Sequence, residues 1–151
     1  MRYRRRGFSL IELLVVVAAI VVVLTVAIPN LLKAKLGAAE TMVVREVQTI
    51  GQAEMQYASL FGKYAATLAE LGPPAAGTAG PQAAELIPGK LASGEKNGYL
   101  YTLTLTPLGF AVNANPKEFG NTGRRTFYMD QNGVVHQNWG REAATANSPE
   151  L

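Results

Sequence analysis

The chain has no cysteine among its 151 residues, so no disulfide can staple it and its core must come from packing. It has one histidine, His136, and with no cysteine or second histidine beside it there is no metal-ligand set of the zinc type. No glycine-rich phosphate loop, nucleophile elbow or pair of catalytic carboxylates is visible. These absences point to a non-enzyme without cofactor or metal. Charge is missing as well from Leu13 to Ile28, where only Thr25 carries a polar side chain. What surrounds that gap is the most informative part of the sequence. Arg4-Arg5-Arg6-Gly7-Phe8-Ser9-Leu10-Ile11-Glu12-Leu13 places a basic leader, a glycine and one carboxylate ahead of the apolar run. From Phe8 to Ile28 there are 21 residues, about 31 Å of helix at 1.5 Å per residue. That matches a hydrocarbon core of about 30 Å. A carboxylate such as Glu12 inside a span costs roughly 2.5–3.5 kcal/mol on insertion scales and usually has a functional partner.

The stretch GFSLIELLVVVAAI resembles the class III signal of type IV prepilins and type II secretion pseudopilins, and Pro29 falls where many members place a proline. The resemblance implies cleavage between Gly7 and Phe8 by a prepilin peptidase, N-methylation of Phe8, and helix-mediated assembly involving Phe8, Glu12 and Pro29. A Sec-type signal peptide and a plain single-span anchor share the hydropathy. Glu12 interrupts the apolar core near its start and Pro29 disfavours cleavage after Ala27, which argues against the first; the second has no need of Gly7 or Glu12.

Setting the leader aside changes the charge. Removing the arginines at 2, 4, 5 and 6 from 14 basic residues leaves 10 against 11 acidic ones, a net charge near −1. The surplus is a targeting feature and not a nucleic-acid footprint, and it holds the leader in the cytoplasm with the remainder outside. About 120 residues follow the span, enough for one small domain. Many pilins close a C-terminal loop with a disulfide, which this chain cannot do.

Beyond Pro29 an apolar stripe runs through Leu36, Val43, Val47, Ile50, Tyr57 and Phe61, with Glu54 in its path and Glu40, Arg45, Gln48 and Gln52 assigned to the opposite polar face. Gly62 is a stop signal. A helix from Phe8 to about Leu60 would be roughly 80 Å long, so half of it must project into lipid or into other subunits. Pro29 and Gly37 are places where it could kink or melt locally. The chain divides into a leader over residues 1–7, a membrane and filament-core helix over 8–33, and an amphipathic half over 34–61. A loop region over 62–97 and a β-sheet region with a C-terminal tail over 98–151 follow.

Gly62-Lys63-Tyr64 before Leu68 and Leu71 resembles the G-x-Y-P element that follows the long helix in many pilins, with Ala65 in place of the proline. A short helix is expected over 68–71, and Gly72-Pro73-Pro74-Ala75-Ala76-Gly77 is a loop. Residues 99–105 and 110–114 alternate as a hairpin about Pro107-Leu108-Gly109. A second hairpin joins 126–129 to 134–136 through Asp130-Gln131-Asn132-Gly133. The expected fold class is α+β, a pilin-type long helix carrying an antiparallel sheet of about four strands.

Asp130 to Gly133 lacks the distal ligands of a calcium loop, Trp139 suits a core or interface anchor, and Arg124-Arg125 with Lys117 suits a solvated loop. The implied function is a structural subunit of a type IV pilus that serves adhesion, motility or DNA uptake. It is membrane-inserted before assembly into a homo-oligomeric filament, and its implied partners are a peptidase/methyltransferase, an assembly platform and inner-membrane lipid. A major pseudopilin of a type II secretion system is the nearest alternative, and a tethered binding protein that never polymerises is a third.

Overall fold

A computed structural model describes residues 7–151, so the leader up to Arg6 lies outside the described residues. The chain forms two compact units that meet between Lys35 and Leu36. Helix α1 (Leu10–Phe61) has 52 residues and runs unbroken through Pro29 and Gly37. At position 29 the missing N–H leaves the carbonyl of Thr25 without its intrahelical donor. In the first unit every described residue from Gly7 to Lys35 is exposed.

In the second unit α1 ends at Gly62, which adopts φ +71°, a conformation that costs glycine little. Next come α2 (Leu68–Leu71) and α3 (Gly89–Ala92), then the strands β1 (Glu95–Lys96), β2 (Tyr99–Thr106), β3 (Gly109–Pro116), β4 (Thr126–Asp130) and β5 (Val135–Asn138). The five strands form one antiparallel meander in sequence order. Both anticipated hairpins are present, and the two-residue β1 adds an edge. The second hairpin turns on an Asx motif: Asn132 N–H donates to Asp130 Oδ1 at 2.9 Å, Gly133 N–H donates to Asp130 O at 3.0 Å, and Gly133 takes φ +77°. Only Gly133, not Asn132, uses the left-handed region.

Alternation places Tyr99, Tyr101, Val112, Ala114, Phe127 and Met129 on one sheet face, where they pack with Val43, Val47, Ile50, Ala53 and Tyr57 of α1. Gly51 lets the Met129 thioether lie against the helix backbone, in space that a Cβ would occupy. The tail does the closing work that a disulfide does elsewhere. Gln137 N–H donates to Pro149 O at 2.8 Å and Leu151 N–H to Val135 O at 3.0 Å. Side chains of Asn113 and Thr126 donate to the carbonyls of Ala144 (2.9 Å) and Glu142 (2.8 Å), and Ala144 is buried. His136 is part of the same strap. Its Nδ1 lies 2.7 Å from Ser148 O, and a carbonyl only accepts, so Nδ1 carries the proton.

Candidate functional site

The N-terminal segment is the first candidate. Residues 7–9 precede α1, whose first bond runs from Leu13 N–H to Ser9 O at 3.2 Å. Phe8 is 79% exposed and stands ahead of the helix, so it does not share a helical face with Glu12 in this structure. Glu12 is the third residue of α1, where the positive end of the helix dipole favours a carboxylate. Ser9 and Glu12 have the spacing of a capping box. Among the described residues, however, neither side chain makes a hydrogen bond. Among the described residues, a Cβ built on Gly7 meets nothing within 4 Å. No contact among the described residues demands glycine there. From Leu10 to Leu32 the large apolar side chains are uniformly exposed, and α1 is long and apolar enough to cross a membrane.

The second unit holds three buried carboxylates; sequence reasoning set Glu54 in the apolar stripe, passed over Glu46 and put Glu40 on the wrong face. Glu40, assigned above to the polar face, is 2% exposed. Its Oε1 accepts from Arg124 N–H and its Oε2 from Arg125 Nε–H, each at 2.8 Å. Arg125 Nη1 continues to Gln137 Oε1 at 2.8 Å. The arginine pair is thus a half-buried clamp and not a solvated loop, and Lys117 pairs with Glu95 at 2.7 Å. Glu46 is buried and holds the β1–β2 turn through Lys96 Nζ and Asn97 Nδ2, both at 2.8 Å, and through the Tyr101 hydroxyl. Burial and this bond push the Tyr101 hydroxyl up from its ordinary pKa. The available signal was spacing, because Glu40 and Glu46 lie three residues either side of Val43 and so share its face.

Glu54 is fully buried, and its Oε2 accepts from Ala65 N–H at 3.0 Å. A proline at 65, as in the related element, would have no N–H to give. Glu54 Oε1 has no partner among the described residues. Desolvation pushes its carboxyl up to about 7; the Ala65 N–H opposes the shift and the nearby Glu70 adds to it. A carboxyl raised on folding stabilises the folded unit below its unfolded value of 4.5, and that stability is lost as pH rises through about 7. The loss amounts to about 3 kcal/mol if the whole shift is realised. The melting temperature should therefore fall between pH 5 and pH 8, and Glu54→Gln should flatten that fall. An unchanged slope in the variant would remove Glu54 as its source.

Trp139 is 66% exposed and is not a core residue. Among the described residues no three acidic, histidine or cysteine side chains cluster to hold a metal.

Residues 2–28 match the family model of the prokaryotic N-terminal methylation motif, the class III signal of type IV pilins and pseudopilins. Residues 87–149 match a model described as a protein of unknown function (DUF2950), which spans α3, the sheet and most of the tail. No curated protein and no solved structure matches the chain. The motif, with the apolar helix behind it and the antiparallel sheet beyond, supports a precursor of the type IV pilin and pseudopilin kind.

Proposed function

We propose that the chain is a structural subunit of a type IV pilus, inserted in the inner membrane with its C-terminus outside and then polymerised through its N-terminal helix. The observation that carries this reading is the uncovered apolar half of α1 with Glu12 in its first turn, directly behind Gly7. A soluble fold would leave no such length bare, because apolar area outside water is worth about 25 cal/mol per Å². Lipid covers it before assembly and neighbouring helices cover it afterwards. In this reading Gly7 is read from outside the chain, since a Cβ there would meet nothing among the described residues; the peptidase approaches the backbone where a Cβ would obstruct it. Cleavage leaves Phe8 as the N-terminus, which is then methylated, and Pro29 lowers the cost of bending α1 on leaving the bilayer.

Mass spectrometry of the mature chain should give a methylated Phe8 as its first residue. An intact Met1, or a start near Ile28, would reject the processing step. A pilus subunit should also be abundant in the sheared extracellular fraction. Scarcity there, with correct processing, would favour the secretion pseudopilus, and a tethered protein would be absent.

A further inference from the structure

The sheet has two edges, and the chain covers one of them along its length. On β5 the tail runs antiparallel: Gln137 N–H donates to Pro149 O, Leu151 N–H donates to Val135 O, and His136 stands opposite Glu150. At the other edge β1 reaches only Tyr99 and Leu100, and Gly94 O accepts from Tyr101 N–H at 2.8 Å. From Thr102 to Thr106, β2 has a bonded neighbour on the β3 side alone among the described residues. Because Tyr101 turns its N–H outward, Leu103 and Leu105 turn theirs to the same open side, while Thr102, Thr104 and Thr106 bond β3. None of residues 102–106 is buried, and Leu105 is 49% exposed. Proteins blunt an open edge with a charge, a proline or a bulge, since it templates pairing with another chain. Thr102-Leu103-Thr104-Leu105-Thr106 has none of these, and its register with β3 is unbroken.

The sequence of this edge selects its occupant, because it reads the same in both directions about Thr104. A twofold axis through Thr104, normal to the sheet, lays the strand antiparallel against itself. Leu103 then stands opposite Leu105 of the second copy, and their outward N–H and C=O groups exchange hydrogen bonds in both directions. Thr104 faces its own counterpart as a non-hydrogen-bonded pair, with Cα atoms about 4.5 Å apart. Threonine lies opposite threonine, a stabilising cross-strand pair, and leucine opposite leucine. Pairing of β2 with the β5 edge of another copy is closed off, because the tail already holds that edge.

We propose that the open β2 edge is a self-association surface, through which two copies of this chain join their sheets in an antiparallel register centred on Thr104. Such a contact closes on itself, so it is distinct from the head-to-tail repeat of a filament. The axis reverses the α1 segment that packs on the sheet, so the pair links copies of opposite polarity, as in filaments lying side by side. That setting rests on the polymerisation proposed above; the pairing itself does not. The contact is small and gains strength where many copies lie in a row. The chain has no cysteine, so introduced cysteines report the register in the full chain in detergent. On mild oxidation Thr104→Cys should give about fivefold more covalent dimer than Thr102→Cys. A disulfide needs Cα atoms within about 7 Å, whereas the two copies of position 102 lie about 14 Å apart. Thr102→Cys mixed with Thr106→Cys should recover the dimer. Adding Thr104→Lys to both should cut that dimer about fivefold, because like charges then face each other. Thr104 is exposed, and unchanged near-ultraviolet dichroism checks that the fold survives. Equal crosslinking of Thr102→Cys and Thr104→Cys, as association through the apolar helix alone gives, would overturn the contact. Absence of covalent dimer from every variant would overturn it too, and would leave the pilus reading to the shearing assay.

Discussion

Glu12→Ala should leave insertion and processing intact and cut filament yield roughly tenfold or more, as the loss of a few kcal/mol in subunit docking requires. Cleavage after Gly7 would place a new positive amine on Phe8, the cation nearest Glu12 in the processed chain. The Glu12 carboxylate has no partner within the described residues, so it is free to take one from another chain. Its interaction with its own helix dipole is worth about 0.3–1 kcal/mol, and losing that cannot dissolve a 52-residue helix. Between subunits the balance differs. In a dry core an unpaired carboxylate and an unpaired amine each cost several kcal/mol, and pairing relieves both. The pair would thus select the axial register, while the exposed apolar side chains from Leu10 to Leu32 supply most of the attraction. Glu12→Gln should also assemble poorly, because it keeps the shape and loses the charge. Wild-type filament yield from Glu12→Ala would sink this mechanism. Counting filaments by electron microscopy against the processed subunit in membranes separates assembly from expression.

Glu40→Ala should destabilise the second unit by about 3 kcal/mol, since it leaves the mostly buried Arg125 without its counter-ion. It also strips the Arg124 N–H of its acceptor. For a unit of this size that is a fall of roughly 10–20 °C in melting temperature. The measurement is near-ultraviolet dichroism of the full chain in detergent, which follows the packed tyrosines and not the helical span. Glu40→Gln should cost less, because an amide oxygen can still accept from one donor. A paired replacement, Glu40→Leu with Arg125→Met, should recover much of the loss, because two apolar groups need no counter-ions. If Glu40→Ala melts within about 2 °C of the parent, the clamp contributes far less than its burial implies. With the expected fall, Glu12 and Glu40 would be distinguished by outcome, one acting between chains and the other within one.

Much of the molecule was legible along the chain because the signals are local. The uncharged run from Leu13 to Ile28, the stop at Gly62, the short helix at 68–71 and both hairpins each depend on residues a few positions apart. The methylation motif is local in the same way: Gly7, Phe8 and Glu12, the residues proposed for processing and assembly, lie within six consecutive positions that it spans. Other features were decided only by residues that meet across the fold. Glu40 looks like a solvent-facing helical residue until Arg124 and Arg125 arrive 84 and 85 positions later and bury it. Periodicity reports the angle at which a side chain leaves the helix, but it carries no information on whether a cation will cover that angle. For Trp139, expected as a core or interface anchor, the core half fails for the mirror reason. An indole has enough apolar area to be buried almost anywhere, and here the inner sheet face was already filled by Phe127, Met129 and the tyrosines of β2. The C-terminal strap has no local signature either, since its bonds join the carbonyls of Glu142, Ala144 and Ser148 to side chains on strands up to 31 positions away. The sequence by itself determined that the chain has a membrane-length apolar helix, an N-terminal methylation motif and an antiparallel sheet, because hydropathy and turn chemistry act over single turns. Only the tertiary structure decided which carboxylates are buried, what closes the head without cysteine and which aromatic ring stays in water, because each depends on charges and surfaces brought together from distant parts of the chain.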